Sequence, residues 1–301
     1  MEYDVANIAD IFADIIILSK EMPSLGQSET LADDYTIELG GSGPIFAAQF
    51  SSLGGRVALL GMIGGDLMGD FVLNRLAALG ITTSFIQRNA NHATPLGLNI
   101  SIPGDRSMLT VPGCITEITP SIIDSIRLDK VRHWHISSYY LLSSLTQFWP
   151  EFMKNLKKKK ITSSLDTNWS LFGNWKQVLE ILPFMDLFLP NETEARHITG
   201  EKNYRLAGME LSKIVPLVVI KRGDKGASVF VRGNETSATV QDHWKGDTRV
   251  IDTTGAGDCF NGGFVYEWLK QSPLEQCLGT AIQCGTQSVQ HPGGVKHLLA
   301  Y

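Results

Sequence analysis

The chain has 301 residues, 43% of them apolar, and a net charge of −5. That is room for one large α/β domain with a sizeable core, and the acidic balance argues against a nucleic-acid partner, whose phosphate backbone calls for a basic field. Cys114, Cys259, Cys277 and Cys284 form no C-x-x-C pair and join no histidine cluster, which argues against a zinc site.

The N-terminal stretch MEYDVANIAD is acidic and lacks the layout of a secretion signal. DIIIL is far too short to span a bilayer, so a cytoplasmic protein without a membrane partner is expected. VANIADIFADIIIL reads as one strand or two. GPIFAAQFSSLGG reads as a helix ended by Gly54-Gly55, RVALLGMIG as a strand, and DLMGDFVLNRLAALG as a helix with Gly80 at its C-cap. TPLGLNISIPGDRSMLTV reads as a hairpin turning at Pro103-Gly104-Asp105. Inserted in an α/β chain, such a hairpin suits a small sheet standing off the main one.

From residue 131 strands and helices alternate. VRHWHIS is read as a strand and LTQFWPEFMKNLKKKK as a helix, with Lys157 to Lys160 at its dipole-favoured end. ITSSLD is then a strand, WKQVLEIL a helix, MDLFLP a strand, ETEARHIT and YRLAGMELSKI helices, and PLVVIK a strand. ASVFV and TRVID add strands, and helices from Ala256 to Lys270 and from Pro273 to about Gln290 close the chain. Short β-branched runs between helical segments indicate buried parallel strands with crossover helices.

The segment IDTTGAGDCFNGGF, Ile251 to Phe264, carries the chemistry. Gly255 and Gly257 let the backbone approach a ligand closely. The free N–H groups of the helix that follows, with the positive end of its dipole, make an anion site. Asp258 in that first turn could be a cap, but a cap needs no glycine on both sides of Ala256. A phosphoryl group does need the open backbone, and a carboxylate beside it calls for a hydroxyl between them. That is the geometry of a general base activating an alcohol to attack phosphorus. There is no G-x-x-x-x-G-K-[ST] and no G-x-S-x-G, and GAGDCF lacks the third glycine of a dinucleotide fingerprint, which rules against a redox reading.

DTTGAGDCFNGGF resembles the C-terminal signature D-T-x-G-A-G-D of the ribokinase-like (PfkB) carbohydrate kinases. ELGGSGP through LGGRVALLGMIGGDLMGD resembles the N-terminal glycine signature of that family, FLPNETEA its N-x-x-E element, VVIKRGDKGA its nucleotide-side strand and loop, and QHPGG its closing loop. The resemblance implies a three-layer α/β/α domain with a mostly parallel central sheet and a small β lid built from segments near residues 12–40 and 94–112. It implies an ATP-dependent kinase acting on a hydroxyl of a sugar or sugar-like substrate. Asp258 would be the base, and the amides of Gly255, Ala256, Gly257 and Asp258 would form the anion hole. Asp14, Gly40, Gly41 and Asp252 would meet the sugar, Asp252 also lying near a monovalent-cation (K+) loop. Asn191, Lys221, Gly223 and Asn168, with Asp166 near it, would lie along ATP, and Asn191 and Glu194 would organise Mg2+ through water. A homodimer paired through the lids is expected.

Ile45 stands where the family often has a sugar-contacting Asn, Ala9 where a Gly is usual, and Trp169 where D-x-N is usually followed by Pro. A nucleoside kinase, or a non-catalytic sugar or nucleotide sensor on the same scaffold, stays open as an alternative. Cys259 is read as a reactive thiol or a buried filler, and Trp134-His135 and Tyr139-Tyr140 as pocket or strand-packing residues.

Overall fold

The computed structural model describes residues 1–246 and 249–299, with Arg106 described by its backbone alone. In chain order it runs β1 (Tyr3–Ile8), β2 (Phe12–Leu18), β3 (Asp34–Gly40), α1 (Ser42–Ser52), β4 (Val57–Gly64), α2 (Leu67–Ala78), β5 (Ile86–Asn89), β6 (Leu96–Ile102) and β7 (Asp105–Val111). It continues with β8 (Val131–Ile136), α3 (Trp149–Lys158), β9 (Thr162–Leu165), β10 (Leu187–Phe188), α4 (Glu192–Thr199), α5 (Tyr204–Leu211) and β11 (Leu217–Lys221). β12 (Ala227–Val231), β13 (Asn234–Ala238), α6 (Val240–His243), α7 (Ala256–Leu269) and α8 (Leu274–Ser288) complete it.

The described strands form a nine-stranded sheet, β13-β12-β11-β10-β9-β8-β1-β4-β5, and a four-stranded sheet, β3-β2-β6-β7. The large sheet is parallel from β5 to β11 and antiparallel at β12 and β13. Its central strands are apolar at odd and even positions alike because both faces are covered. Ala6, Leu60, Trp134 and Val218 pack on the side of α3, α4 and α5. Val5, Leu59 and Val219 pack on the side of α1, α7 and α8. The two cores and the sheet between them are the three layers the resemblance implied.

Local chemistry sets the helix ends. Asp66 caps α2 through Gly69 N at 2.9 Å, and Asn191 and Glu194 form a reciprocal capping box on α4. The hairpin read between Thr94 and Val111 is β6 and β7, and the two closing helices are α7 and α8.

Two segments given an element in the sequence reading take another form. WKQVLEIL forms 3-10 turns, Trp175–Glu180 and Leu182–Phe184, in place of a helix. Its start is held from outside: Tyr140 Oη donates to Trp175 O at 2.6 Å, and the Trp175 ring stacks on His197. TRVID is not a strand over its described residues 249–252, Thr248 lying outside them. Ile251 N and Asp252 N both donate to Val289 O, so this backbone hooks onto the end of α8 rather than entering a ladder.

A polar seam crosses the α1–α7 face of the sheet. His133 bonds Thr162 and Ser164, and His135 bonds the same Ser164 hydroxyl at 2.7 Å, while the Phe46 ring stacks on His135. Burial holds both imidazoles well below their ordinary pKa, His135 at about 3. Trp134, Tyr139 and Tyr140 are likewise core residues rather than pocket walls.

Candidate active site

The functional side chains stand at or just beyond the carboxyl ends of the parallel strands, where open α/β sheets hold ligands. Asp10 follows β1, Asp166 follows β9, Asn191 follows β10, and Lys221 ends β11. Facing them is the N-terminus of α7. Gly255 caps it at φ +74°, where a side chain would be strained and would meet Ile45 Cδ1 and Gly294 Cα at 2.8 Å. Among the described residues the helix has no side-chain cap; Ala256 N makes a long 3.4 Å bond to Thr253 O, and the Gly257 and Asp258 amides stay open to a ligand. A Cβ on Gly257 would lie 3.4 Å from Lys221 Nζ, which puts an ammonium beside those amides. Lys221, Gly223, Ala256 and Gly257 line one end of a cavity of about 510 Å³, and Val240, Phe260, Ile282 and Val289 line its apolar remainder. A charged end beside an apolar slot suits a phosphorylated compound with a flat apolar group.

Lys221 belongs to a closed set of contacts. Its Nζ donates to Asp166 Oδ2 at 2.8 Å and to Asn261 Oδ1 at 3.3 Å, and Asn261 Nδ2 donates to the same Asp166 oxygen. Burial pulls the ammonium down, but Asp166 and Glu194 outweigh it and hold Lys221 above its ordinary pKa. Asn261, one turn beyond Asp258, thereby ties α7 to the end of β9. Burial and the negative Asp166 push Glu194 up to about 7. Burial, then Asp166, also pushes Asp258 well above the carboxylate range, against the pull of Lys221 and a hydrogen bond from Ser42.

Asn191 and Glu194 meet each other first: Asn191 N donates to Glu194 Oε2 at 2.8 Å and Glu194 N to Asn191 Oδ1 at 2.9 Å. Asn168, at φ +54°, donates its N–H to Asp166 Oδ1 at 3.5 Å. Neither asparagine is among the residues lining the cavity. Among the described residues no group of three or more His, Cys, Asp or Glu side chains could hold a metal ion. Mg2+ therefore fits here only as an ion carried by a ligand's phosphates and reached through water, which suits its reluctance to dehydrate.

On the other side of Asp258 lies the second group of acids. Asp14 is buried on β2, and a Cβ on Gly40 or Gly97 would run into its carboxylate. Gly41, at φ +87°, starts α1, and a side chain there would collide with Asp10 O. Asp10 caps α1 from outside, accepting from Ser42 N at 3.1 Å and Ser138 Oγ at 2.7 Å. Burial raises Asp10 to about 6, and burial with the charges of Asp10 and Asp252 raises Asp14 to about 7. Asp252 accepts from Thr254 N, Thr254 Oγ1 and Gly293 N at 2.8–3.0 Å, stapling the loop before α7 to the closing loop.

The two sugar-side departures have physical places. Ile45 packs on Gly255 and Gly294 as an apolar wall, and the Ala9 methyl fills the space over Gly43. Cys259 is the buried filler: its Sγ donates to Gly294 O at 3.2 Å, and burial raises its thiol far from reactivity. Asp10, Glu38 and Asn261 escaped the sequence reading. The repeat ADIFAD, setting Asp10 four residues before Asp14, was the available signal for the first. No described helix is long and apolar enough to cross a membrane.

The fold has solved counterparts. Arabidopsis thaliana ribokinase complexed with ribose and ATP superposes with a TM-score of 0.79, at 21% identity over 100% of both chains. Burkholderia thailandensis nucleoside kinase in complex with inosine gives 0.80, at 18% identity over 98% of this chain and 94% of that one. In sequence, the chain is 26% identical to the ribokinase of Haemophilus influenzae over 95% of its own length and 92% of the relative's. The pfkB family carbohydrate kinase model matches residues 4–299. An open helix N-terminus with a carboxylate in its first turn, on this fold and under that match, makes the chain a member of the pfkB family of carbohydrate kinases, a phosphotransferase.

Proposed function

We propose that the protein transfers the γ-phosphoryl group of ATP to a hydroxyl of a sugar or sugar-like alcohol, with Asp258 as the general base. The observation that carries this is the setting of Asp258, in the first turn of α7 beside Gly257 and within electrostatic reach of both Lys221 and Asp10. ATP would lie in the cavity of about 510 Å³, its base in the apolar slot and its terminal phosphates at Lys221 and the amides of Gly255 to Asp258. Mg2+ carried with the nucleotide would neutralise phosphate charge. The acceptor would bind across Asp14, beside Gly40 and Gly41. Asp258 would take the hydroxyl proton as the oxygen attacks phosphorus in line, and the amides would hold the charge on the transferred group. The four-stranded sheet would act as a lid that excludes water and prevents simple ATP hydrolysis.

The test is a coupled ADP-release assay with ATP and Mg2+ over ketoses, aldoses, sugar acids, sugar phosphates and nucleosides. One strong acceptor supports the reading, and silence with ATP still bound would favour a sensor. Asp14→Ala is expected to raise the acceptor KM about tenfold to a hundredfold, the worth of a hydrogen bond to a charged group, while the ATP KM stays put. Equal losses for both substrates would place Asp14 outside the acceptor site. The base must be ionised, and burial raises Asp258 as well as Asp14, the latter to about 7. Acceptor kcat/KM should therefore fall as pH drops, the loss of the Asp14 carboxylate entering through about 7 and protonation of the raised Asp258 adding to it. A profile flat from about pH 5 to 8 would contradict the assignment.

A further inference from the structure

The inner face of the small sheet carries polar groups with no work inside the protein. Cross-strand register puts Glu38, Asp14 and Gly97 on one rung, and Ile16 and Asn99 on the next rung of the same face. This face looks at the closing loop: a Cβ on Gly293 would meet Glu38 Cγ at 2.8 Å and Ile16 Cδ1 at 3.5 Å. Asn99 is 1% exposed, and among the described residues neither its Oδ1 nor its Nδ2 has a hydrogen-bond partner. Its Nδ2 lies 3.9 Å from where a Gly97 Cβ would be, and that same point runs into the Asp14 carboxylate. Glu38 Oε2 is likewise buried and unpartnered, while its Oε1 accepts from Thr36 at 2.7 Å and lies 3.9 Å from Lys296 Nζ. Buried polar atoms are almost always satisfied, so an amide with both ends idle, on a face that also carries an idle carboxylate oxygen two strands away, indicates an absent ligand that both donates and accepts.

The charge of the site narrows what that ligand is. Asp14 feels the charges of Asp10 and Asp252, Asp258 feels that of Asp10, and Glu38 stands opposite Asp14 with the Lys296 ammonium already facing it. A hydroxyl suits such a wall, because it donates to a carboxylate and still accepts from an amide. A second phosphate or a carboxylate on the acceptor would be repelled.

Resting on the reading that the acceptor lies against Asp258, we propose that it is an uncharged polyol. Asn99 and Asp14 grip its hydroxyls from the small sheet, and the acids turn away acceptors that already carry phosphate or carboxylate. Asn99 is thus a specificity-determining residue.

The probes are matched pairs: a pentose and its 5-phosphate, a ketohexose and its 1-phosphate, an aldohexose and its aldonic acid. Each is assayed for ADP release and, separately, for its shift of the thermal midpoint. The neutral member of at least one pair should stabilise the protein and turn over, with its charged counterpart lower in kcat/KM by about a hundredfold or more, as like-charge juxtaposition demands. Asn99→Ala should raise the KM of that neutral acceptor about three- to tenfold with kcat unchanged. It should not lower the thermal midpoint of the ligand-free protein, since no internal bond is lost; a purely structural Asn99 would lower it. Glu38→Gln should narrow the gap between the pair members. A charged member that matches or beats its neutral partner overturns the proposal. So does failure of every neutral polyol to bind, or an unchanged KM in Asn99→Ala. Turnover surviving in Asp258→Asn would sink the kinase mechanism instead, leaving the binding comparison to decide this proposal alone.

Discussion

Replacing Asp258 by Asn is expected to lower kcat by about 10²- to 10⁴-fold, the usual worth of a positioned general base. The amide is nearly isosteric, keeps the first turn of α7 intact and leaves the Gly255–Gly257 backbone where it is. ATP binding should survive, because Lys221 and the Gly257 backbone are left in place. Pre-steady-state quenching with ATP and the best acceptor separates the chemical step from product release. Wild-type turnover in this variant would mean that the acceptor hydroxyl loses its proton elsewhere.

The second large effect concerns stability. Asp166→Ala strips Lys221 of its ion pair and Asn261 of its acceptor in one change. Removing one partner of a buried pair leaves the other charge uncompensated and costs about 3–5 kcal/mol. Asp166→Asn keeps an acceptor oxygen in place and should cost less. Denaturant unfolding of the two variants against wild type measures the difference. Near-equal stability of Asp166→Ala and wild type would mean that Glu194 or Asp258 can take over the ammonium. The same variant should weaken ATP binding, since Asp166 holds Lys221 over Gly257.

Legibility followed the range of the interaction that makes each feature. α2, α4 and α7 were readable because Asp66, Asn191 with Glu194, and Gly255 end them by contacts within a few residues. β3 showed in no residue pattern, because DYTIELG passes from exposed to buried along its length without clean alternation, and it entered only within the lid segment near 12–40 that the resemblance implied. The Trp175 segment has a helical pattern that a hydrogen bond from Tyr140 and a ring from α4 override. The same divide runs through the site. Gly255, Ala256, Gly257 and Asp258 are neighbours in sequence and could be read together. Asn261 gains its meaning from Asp166, 95 residues earlier, and Asp10 from Ser42 and Ser138, 32 and 128 residues away. Asn99 could not have been singled out, because what marks it is the absence of any partner among the described residues once the chain has folded.

The order of the large sheet also bears on how the chain can be made. β1, the first of the described strands, lies inside it between β4 and β8, and from β8 onward each later strand adds to the edge left by the one before. A nascent chain that has emerged only to about β7 holds a β1 still lacking one neighbour, with an open edge that other chains could pair with. After β8 arrives, growth is outward and sequential through β13. The α7 amides and the Gly293 staple follow the described strands of the large sheet in sequence, so a chain cut near residue 250 would keep those strands and lose the helix N-terminus that faces Lys221. Activity therefore reports on the segment that follows β13 rather than on formation of the large sheet.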